Sequence, residues 1–327
     1  MSILVAGGAG YIGSVVVEQL IEEGRDVVVL DNLSRGHRSA ANPKATFVHG
    51  DCGDMDLLSQ TIALHGIKSV MHFCALSLVG ESVEAPASYY RNNISQSVAL
   101  VEACLNAGIR NFIFSSTAAV YGEPESVPIT EDSKTQPTNP YGRTKLFFEY
   151  FLRDCDAAYG LKSVCLRYFN AAGASKEYGE DHSPETHLIP LVLDAAVGKR
   201  ESISIFGHDY DTPDGSCIRD YIHVLDLADA HLLALQRLEK GGASDYFNLG
   251  NGNGYSVREV IECARKITGL EIKSEETGRR PGDPARLVAS ADKARNVLGW
   301  KPRFPELEKI IQDAWDWRQK NPDGYAD

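Results

Sequence analysis

A phenol and an ammonium stand four residues apart at Tyr141 and Lys145, and no other Tyr-x-x-x-Lys occurs in the 327 residues. On a helix that spacing puts both side chains on one face. Free tyrosine ionises near pH ~10, too high for a base at neutral pH. A neighbouring cation favours the phenolate and lowers that value, so the pair could exchange a proton with an alcohol. Ser115, Ser116 and Thr117 offer hydroxyls to share that proton. They end a strand-like run, where open α/β sheets place their ligands. Each feature alone is compatible with an ordinary surface pair or strand end. In this order along one chain they point to chemistry at an alcohol carbon.

A second pattern supplies a partner for that chemistry. Gly7, Gly10 and Gly13 follow the strand-like Ile3-Leu4-Val5 and open a helix near Ile12. Among 29 glycines such spacing is weak by itself, and a tight turn alone would account for it. Its context is stronger, because small residues here let the backbone approach a pyrophosphate seated at a helix N-terminus. Asp31 ends the next apolar run, about 20 residues on, where it would accept both ribose hydroxyls and repel a 2′-phosphate. The pattern therefore predicts NAD rather than NADP.

The elements that must position these groups follow from the apolar runs. Val27 to Leu30, 46–48, 69–73, 111–115 and 163–167 are short and β-branched, and helix-like segments such as 14–23 separate them. Near-continuous apolar runs of this kind are buried parallel strands. The fold predicted is α/β, a doubly wound parallel sheet. From about 170 to 215 the chain becomes richer in Gly, Pro, His and Asp, with a strand-like run at 202–206. Ser256 to Glu259 forms a capping box whose helix Gly269 would end, and 305–320 reads as a final amphipathic helix carrying Trp315 and Trp317. We expect an NAD-binding domain over 1–170, rejoined by the chain around 219–240, and a smaller mixed α/β substrate domain over 171–327.

Composition limits the partners. The hydrophobic share is 43%, the charged share 24%, and the net charge −12, with no dense Lys/Arg cluster. Nucleic-acid binding is therefore not expected. Seven cysteines are scattered without a Cys-x-x-Cys, which fits free thiols in a reducing cytosol. No basic-then-apolar leader opens the sequence, and the uncharged stretch 69–80 is too short to span a membrane. A cytoplasmic protein without a membrane segment is expected. His182 and His187 lie either side of Pro184 in a polar loop; a metal would need further Cys or carboxylate ligands at suitable spacing, so no metal site is predicted.

Longer blocks carry a resemblance. They include Gly7 to Gly13 with Asp31-Asn32-Leu33, His72-Phe73 followed by Val79 to Val83, and Tyr89 to Asn93. Further on stand Ser115 to Gly122, Asn139-Pro140-Tyr141-Gly142 with Lys145, and Leu166 to Ala171. Arg219 to Val224 and Arg279-Arg280-Pro281-Gly282-Asp283 complete the set, which spans nearly the whole chain. In these blocks the sequence resembles the extended short-chain dehydrogenase/reductase family with its Rossmann-type sheet, and within it the nucleotide-sugar 4-epimerases.

That resemblance implies reversible 4-epimerisation of UDP-glucose and UDP-galactose through a 4-keto sugar, with tightly held NAD. Tyr141, Lys145 and Thr117 take the catalytic positions. The cofactor positions are Gly7, Gly10, Tyr11, Ile12, Asp31, Asn32, Asp51, Cys52, Phe73 and Ala75, followed by Asn92, Ser115, Tyr141, Lys145 and Tyr168. On the UDP-sugar side stand Ser116, Thr117, Tyr141, Asn170, His187, Leu188 and Ser204, then Phe206, Arg219, Tyr221, Arg280, Asp283 and Leu287. Arg219 and Arg280 would give the charge-assisted bonds a diphosphate needs. A homodimer is implied as well.

Two departures from the pattern matter. Ser77 stands where some members carry a cofactor-side Lys, and Leu287 stands where a large Tyr restricts the sugar C2 substituent and a small residue admits an N-acetyl group. A UDP-N-acetylglucosamine 4-epimerase is thus the nearest alternative. A dehydratase would need an acid beside the catalytic hydroxyl, where this chain has Ala118-Ala119. A non-catalytic NAD-binding regulator is the alternative of another class, and the retained Tyr141 and Lys145 argue against it.

Overall fold

The computed structural model describes residues 2–280 and 283–327, so Pro281 and Gly282 of the last motif lie outside the described residues. The first six strands are β1 (Ser2–Ala6), β2 (Asp26–Asp31), β3 (Thr46–His49), β4 (Ile67–His72), β5 (Asn111–Thr117) and β6 (Lys162–Tyr168). Short strands follow: β7 (Asn170–Ala172), β8 (Ile203–Phe206), β9 (Ile218–Arg219) and β10 (Tyr221–His223). The chain then returns as β11 (Asp245–Leu249) to pair with β6, giving one parallel sheet in the order β11-β6-β5-β4-β1-β2-β3. This is the doubly wound sheet expected from the apolar runs. Strand order turns back at β1, between β2 and β4, and such a switch point opens a crevice at the strands' carboxyl ends.

Helices cover both faces. On one side α1 (Tyr11–Glu22) packs beside α8 (Val224–Glu239), sealed by fully buried Trp300. On the other lie α2 (Met55–His65), α5 (Ser97–Asn106) and α6 (Pro140–Tyr159), over Phe112, Phe114 and Phe148. Two short helices, α3 (Val79–Glu84) and α4 (Pro86–Tyr90), lean on α6. Strands β1, β2, β4, β5 and β6 are buried along most of their length, which is why they read as unbroken apolar runs.

The rest of the second half is built from smaller pieces. Strands β12 (Tyr255–Ser256) and β14 (Arg286–Leu287) flank β9, β13 (Ser274–Thr277) pairs with β8, and β10 pairs with β7. Helices α7 (Leu188–Ala196), α9 (Val257–Thr268) and α10 (Leu307–Lys320) pack into a third apolar cluster with β8. The expected capping box is present at Ser256 and Glu259, and Gly269 ends α9 in the left-handed region. Trp315 and Trp317 are both buried. All seven cysteines are free thiols. Among the described residues no helix is long and apolar enough to cross a membrane.

Candidate functional site

The glycine-rich turn between β1 and α1 divides its glycines by task. Gly7 has φ of +83°, and a Cβ there would lie 2.5 Å from the Cys74 backbone nitrogen. A Cβ on Gly13 would lie 2.2 Å from the Gly7 carbonyl oxygen. Both are required by the protein's own packing. Gly10 is different, because a Cβ there would meet only the Gly7 oxygen at 3.5 Å, an ordinary contact. Gly10 caps α1 without a side-chain hydrogen bond, so the N–H groups of Tyr11 and Ile12 open the helix with positive potential, as an anion-binding turn requires.

Asp31 stands at the carboxyl end of β2. It accepts the Ala9 N–H at 2.9 Å and the Leu33 N–H at 2.9 Å, which fixes the carboxylate while leaving lone pairs for a diol. Burial raises its pKa and the two backbone donors work against that rise. Asn32 Nδ2 donates to Asp51 at 3.2 Å, and Asp51 also accepts the Gly53 N–H. Phe73 and Ala75 follow β4, with the Phe73 ring centre 4.9 Å from that of His231 and the rings tilted by 37°. Cys52 is buried against Gln96. Asn92 lies on a π-helical turn, Arg91–Gln96, and donates to Asn93 Oδ1 at 3.0 Å; such turns are frequent at functional sites. Ser77 is exposed. These groups suit NAD: an uncapped helix start, a fixed carboxylate one strand away, and a buried Ser115 hydroxyl with no hydrogen-bond partner among the described residues.

Tyr141 and Lys145 owe their placement to the start of α6. Asn139 accepts the Gly142 N–H at 2.8 Å and Pro140 fills the first turn. A Cβ on Gly142 would lie 2.6 Å from the Ala119 carbonyl oxygen, so this residue must be small for the helix to meet the end of β5. Tyr141 and Lys145 thus sit one turn apart, 9% and 4% exposed. Lys145 Nζ donates to the Ser115 carbonyl at 2.7 Å and lies 5.9 Å from the centre of the Tyr141 ring. Burial brings the Lys145 ammonium down to about 8, with Cys74 and Glu149 acting the other way. The Tyr141 phenol is pushed up to about 12 by burial, and the Thr117 hydroxyl acts against that rise. Lys145, 5.9 Å from the ring centre and with one N–H given to the Ser115 carbonyl, does not by itself offset that burial.

Ser115, Ser116 and Thr117 alternate across β5 as strand residues do. Thr117 pairs in register with Tyr168 of β6, whose phenol burial pushes well up. Ser116 points to the other face, and its hydroxyl donates to Glu149 at 2.5 Å. Its expected contact with substrate is thereby corrected, because the hydroxyl is occupied in a buried network. Glu149 is also gripped by Arg167, with Nε at 3.0 Å and Nη2 at 2.5 Å, and Arg167 Nη1 reaches the Tyr121 hydroxyl at 2.9 Å. Sequence reasoning missed this network. Its one signal was a Glu four residues beyond Lys145 on a face that also carries Phe148 and Leu152.

The second group gathers around Asp283. Arg219 Nη2 lies 3.2 Å from one carboxylate oxygen and Arg280 Nε 3.0 Å from the other, with the Arg280 guanidinium 5.1 Å over the Phe206 ring. Ser204 is two residues before Phe206 on β8 and half-buried. Leu287 pairs in register with Arg219 and packs on the cluster holding Ala118 and Val120, so it sits between the arginines and the turn that follows Thr117. Asn170 Nδ2 donates to the Asp220 carbonyl at 3.1 Å. Buried Asp220, another residue missed in the sequence, accepts the N–H groups of Asn251, Gly252 and Ala289 and ties these short strands together. Tyr221 is corrected from a ligand contact to a packing residue: it is 4% exposed within the third apolar cluster. His187 caps α7, which Leu188 begins. His182 and His187 face two carboxylates that the spacing argument had not supplied, Glu180 and Glu185. Burial opposes charge on the His182 ring, yet its bonds to these carboxylates hold it up at about 9.

The fold and the site together define a dinucleotide-binding α/β protein with a buried Tyr/Lys pair and, in its second half, two arginines paired to one carboxylate. A model of the NAD dependent epimerase/dehydratase family matches residues 3–250, and the chain belongs to that family. It is 55% identical over 328 residues to the UDP-glucose 4-epimerase of Halalkalibacterium halodurans, covering 100% of this chain and 98% of the relative. A crystal structure of a UDP-glucose 4-epimerase matches with a TM-score of 0.98 and 52% identity over 100% of both chains. The Bifidobacterium longum UDP-glucose 4-epimerase, solved in complex with NAD+ and UDP, has a TM-score of 0.94 at 39% identity. That match covers 99% of this chain and 100% of the other.

Proposed function

We infer that the chain is an isomerase that interconverts UDP-glucose and UDP-galactose by NAD-dependent epimerisation at C4. The observation that carries this reading is the convergence of Tyr141, Thr117 and Lys145 at the carboxyl ends of the parallel strands, with Leu287, the register partner of Arg219, packed on the turn that follows Thr117. The names of the full-length relatives support it. When bound, NAD supplies reversible hydride transfer. Tyr141 takes and returns the sugar O4 proton, and Thr117 shares it. Lys145 holds the Ser115 carbonyl and keeps positive charge near the phenol. Because burial holds the free Tyr141 phenol near 12, a base at neutral pH also needs the positive charge that an oxidised nicotinamide carries. Arg219 and Arg280 leave Asp283 in part to grip the diphosphate.

Residues 1–170 with α8 and β11 form the NAD unit in this reading, and the remaining short strands with α7, α9 and α10 form the UDP-sugar unit. Leu287 carries a second reading, activity on UDP-N-acetylglucosamine, since it sits between the arginines and the catalytic turn and is smaller than tyrosine. Incubating the purified protein with UDP-glucose, UDP-N-acetylglucosamine and UDP-glucuronate, and following C4 inversion by NMR, tests both. Turnover of UDP-glucose without added reductant is expected, and its absence in protein that carries NAD would overturn the reading.

Residence in the cytosol and a homodimer belong to the same proposal. The free thiols agree with the first. For the second, α6 leaves Phe147 62% and Tyr150 43% exposed, beside the exposed Val79 and Val83 of α3. An apolar patch of that kind marks an interaction surface. Light scattering should give twice the chain mass, and Phe147→Glu should reduce it to one.

A further inference from the structure

We propose that Glu180, His182, Glu185 and His187 bind one divalent transition-metal ion of the zinc class. All four come from the loop between β7 and α7, and their ligand atoms lie within 4.8 Å of one another. His187 Nδ1 is 2.8 Å from Glu180 Oε1 and 2.8 Å from Glu185 Oε1. His182 Nδ1 is 3.2 Å from Glu180 Oε1 and 3.8 Å from Glu185 Oε2. Tetrahedral zinc with bonds of about 2.0–2.1 Å sets its ligand atoms roughly 3.3 Å apart, and the four His–Glu separations, 2.8–3.8 Å, bracket that value.

The donor set names the ion. Two imidazole nitrogens favour a transition metal over magnesium or calcium, which take oxygen ligands. Two carboxylates balance a charge of +2, and their side chains are 7% and 13% exposed. Among the described residues no Lys or Arg pairs with either one. Glu185 is also fixed by accepting the N–H groups of Thr186 at 2.6 Å and His187 at 2.7 Å, which orients a ligand in advance. Both rings would bind through Nδ1, leaving Nε2 of His187 for the sugar nucleotide.

The loop is a junction. Its Ser183 carbonyl accepts Arg35 at 2.7 Å and its Asp181 carbonyl meets His37 Nε2 at 2.9 Å, both from the segment after β2. An ion here would clip the NAD-side loops to the start of α7. The test uses holoenzyme dialysed against a chelator and then titrated with Zn2+ alone, the bound ion being counted by mass spectrometry. Wild type should bind one equivalent per chain and unfold at higher temperature with it. His182→Gln and Glu185→Gln should each bind at least tenfold more weakly, while Cys263→Ser matches wild type. X-ray absorption of the loaded wild type should show nitrogen and oxygen neighbours. Substoichiometric binding by wild type, sulfur neighbours, or unchanged binding in both Gln variants overturns the site. Circular dichroism and retained NAD check that the variants fold; should they not, the wild-type stoichiometry and absorption spectrum decide alone.

Discussion

Charged groups at the two ends of the site are held in opposite ways. Behind the Tyr141 end Lys145, Glu149 and Arg167 are each under 10% exposed and locked to a fixed partner. Around Asp283, the side proposed for UDP, the Arg219 and Arg280 side chains are 15% and 60% exposed and share one carboxylate. Burial makes a proton's position depend on its immediate neighbours, and it raises the cost of any unmatched change. Partial exposure leaves a guanidinium free to exchange Asp283 for a phosphate at modest cost. The first arrangement suits bond making and the second suits capture and release.

The largest effect should come from the buried end. Tyr141→Phe removes one oxygen and leaves the ring's packing, so kcat for UDP-glucose should fall by roughly 10²–10⁴ while NAD and UDP still bind. If the variant keeps more than a tenth of wild-type turnover in the coupled assay, the phenol is not the proton carrier. Next in size is Glu149→Gln, which leaves Arg167 buried with an uncharged partner. A broken buried pair costs about 3–5 kcal/mol, so denaturant unfolding should shift by that order. A shift below about 1 kcal/mol, the range of an exposed pair, would mean the network is not closed to water.

Arg219→Ala should act differently, raising KM for UDP-glucose roughly 10- to 100-fold, the worth of a hydrogen bond to a charged group. Its kcat should stay near wild type, because in the proposed reading the guanidinium holds the diphosphate equally before and after the proton moves. A fall in kcat with constant KM would erase the contrast between the two ends.

Legibility followed the same division. The strands of the parallel sheet, the start of α9 and the glycine turn were readable because their signals are local: apolar runs, a cap, small residues at fixed spacing. Strands of two or three residues, such as β9, β10 and β14, carry no periodic signal, and they are held by distant groups such as Asp220. Ser116 was misread because three adjacent hydroxyls look alike in sequence, whereas the strand turns the middle one to the opposite face. The partners of His182 lay two and three residues away, in a spacing no linear metal pattern covers. Arg219, Arg280 and Asp283 were found through the family resemblance, and their meeting at one carboxylate is a product of the fold.

The smallest effect isolates Lys145. Burial lowers its folded pKa to about 8 from an unfolded value of 10.5. The unfolded chain therefore binds more protons between those values, and stability rises with pH across that window as the buried ammonium sheds its charge. Raised thiols and phenols, Cys104 at about 12 among them, act in the opposite direction above their unfolded values, so wild type alone gives a mixed signal. The difference between wild type and Lys145→Met removes them. From roughly pH 7.5 to 9 wild type should gain about 1 kcal/mol relative to the variant. Over the same interval its kcat should fall, because the lost charge is one of the two that favour the phenolate. Stability and turnover thus move in opposite directions on one proton. No exposed lysine, its pKa near that of the free side chain, could produce that pairing below pH ~10.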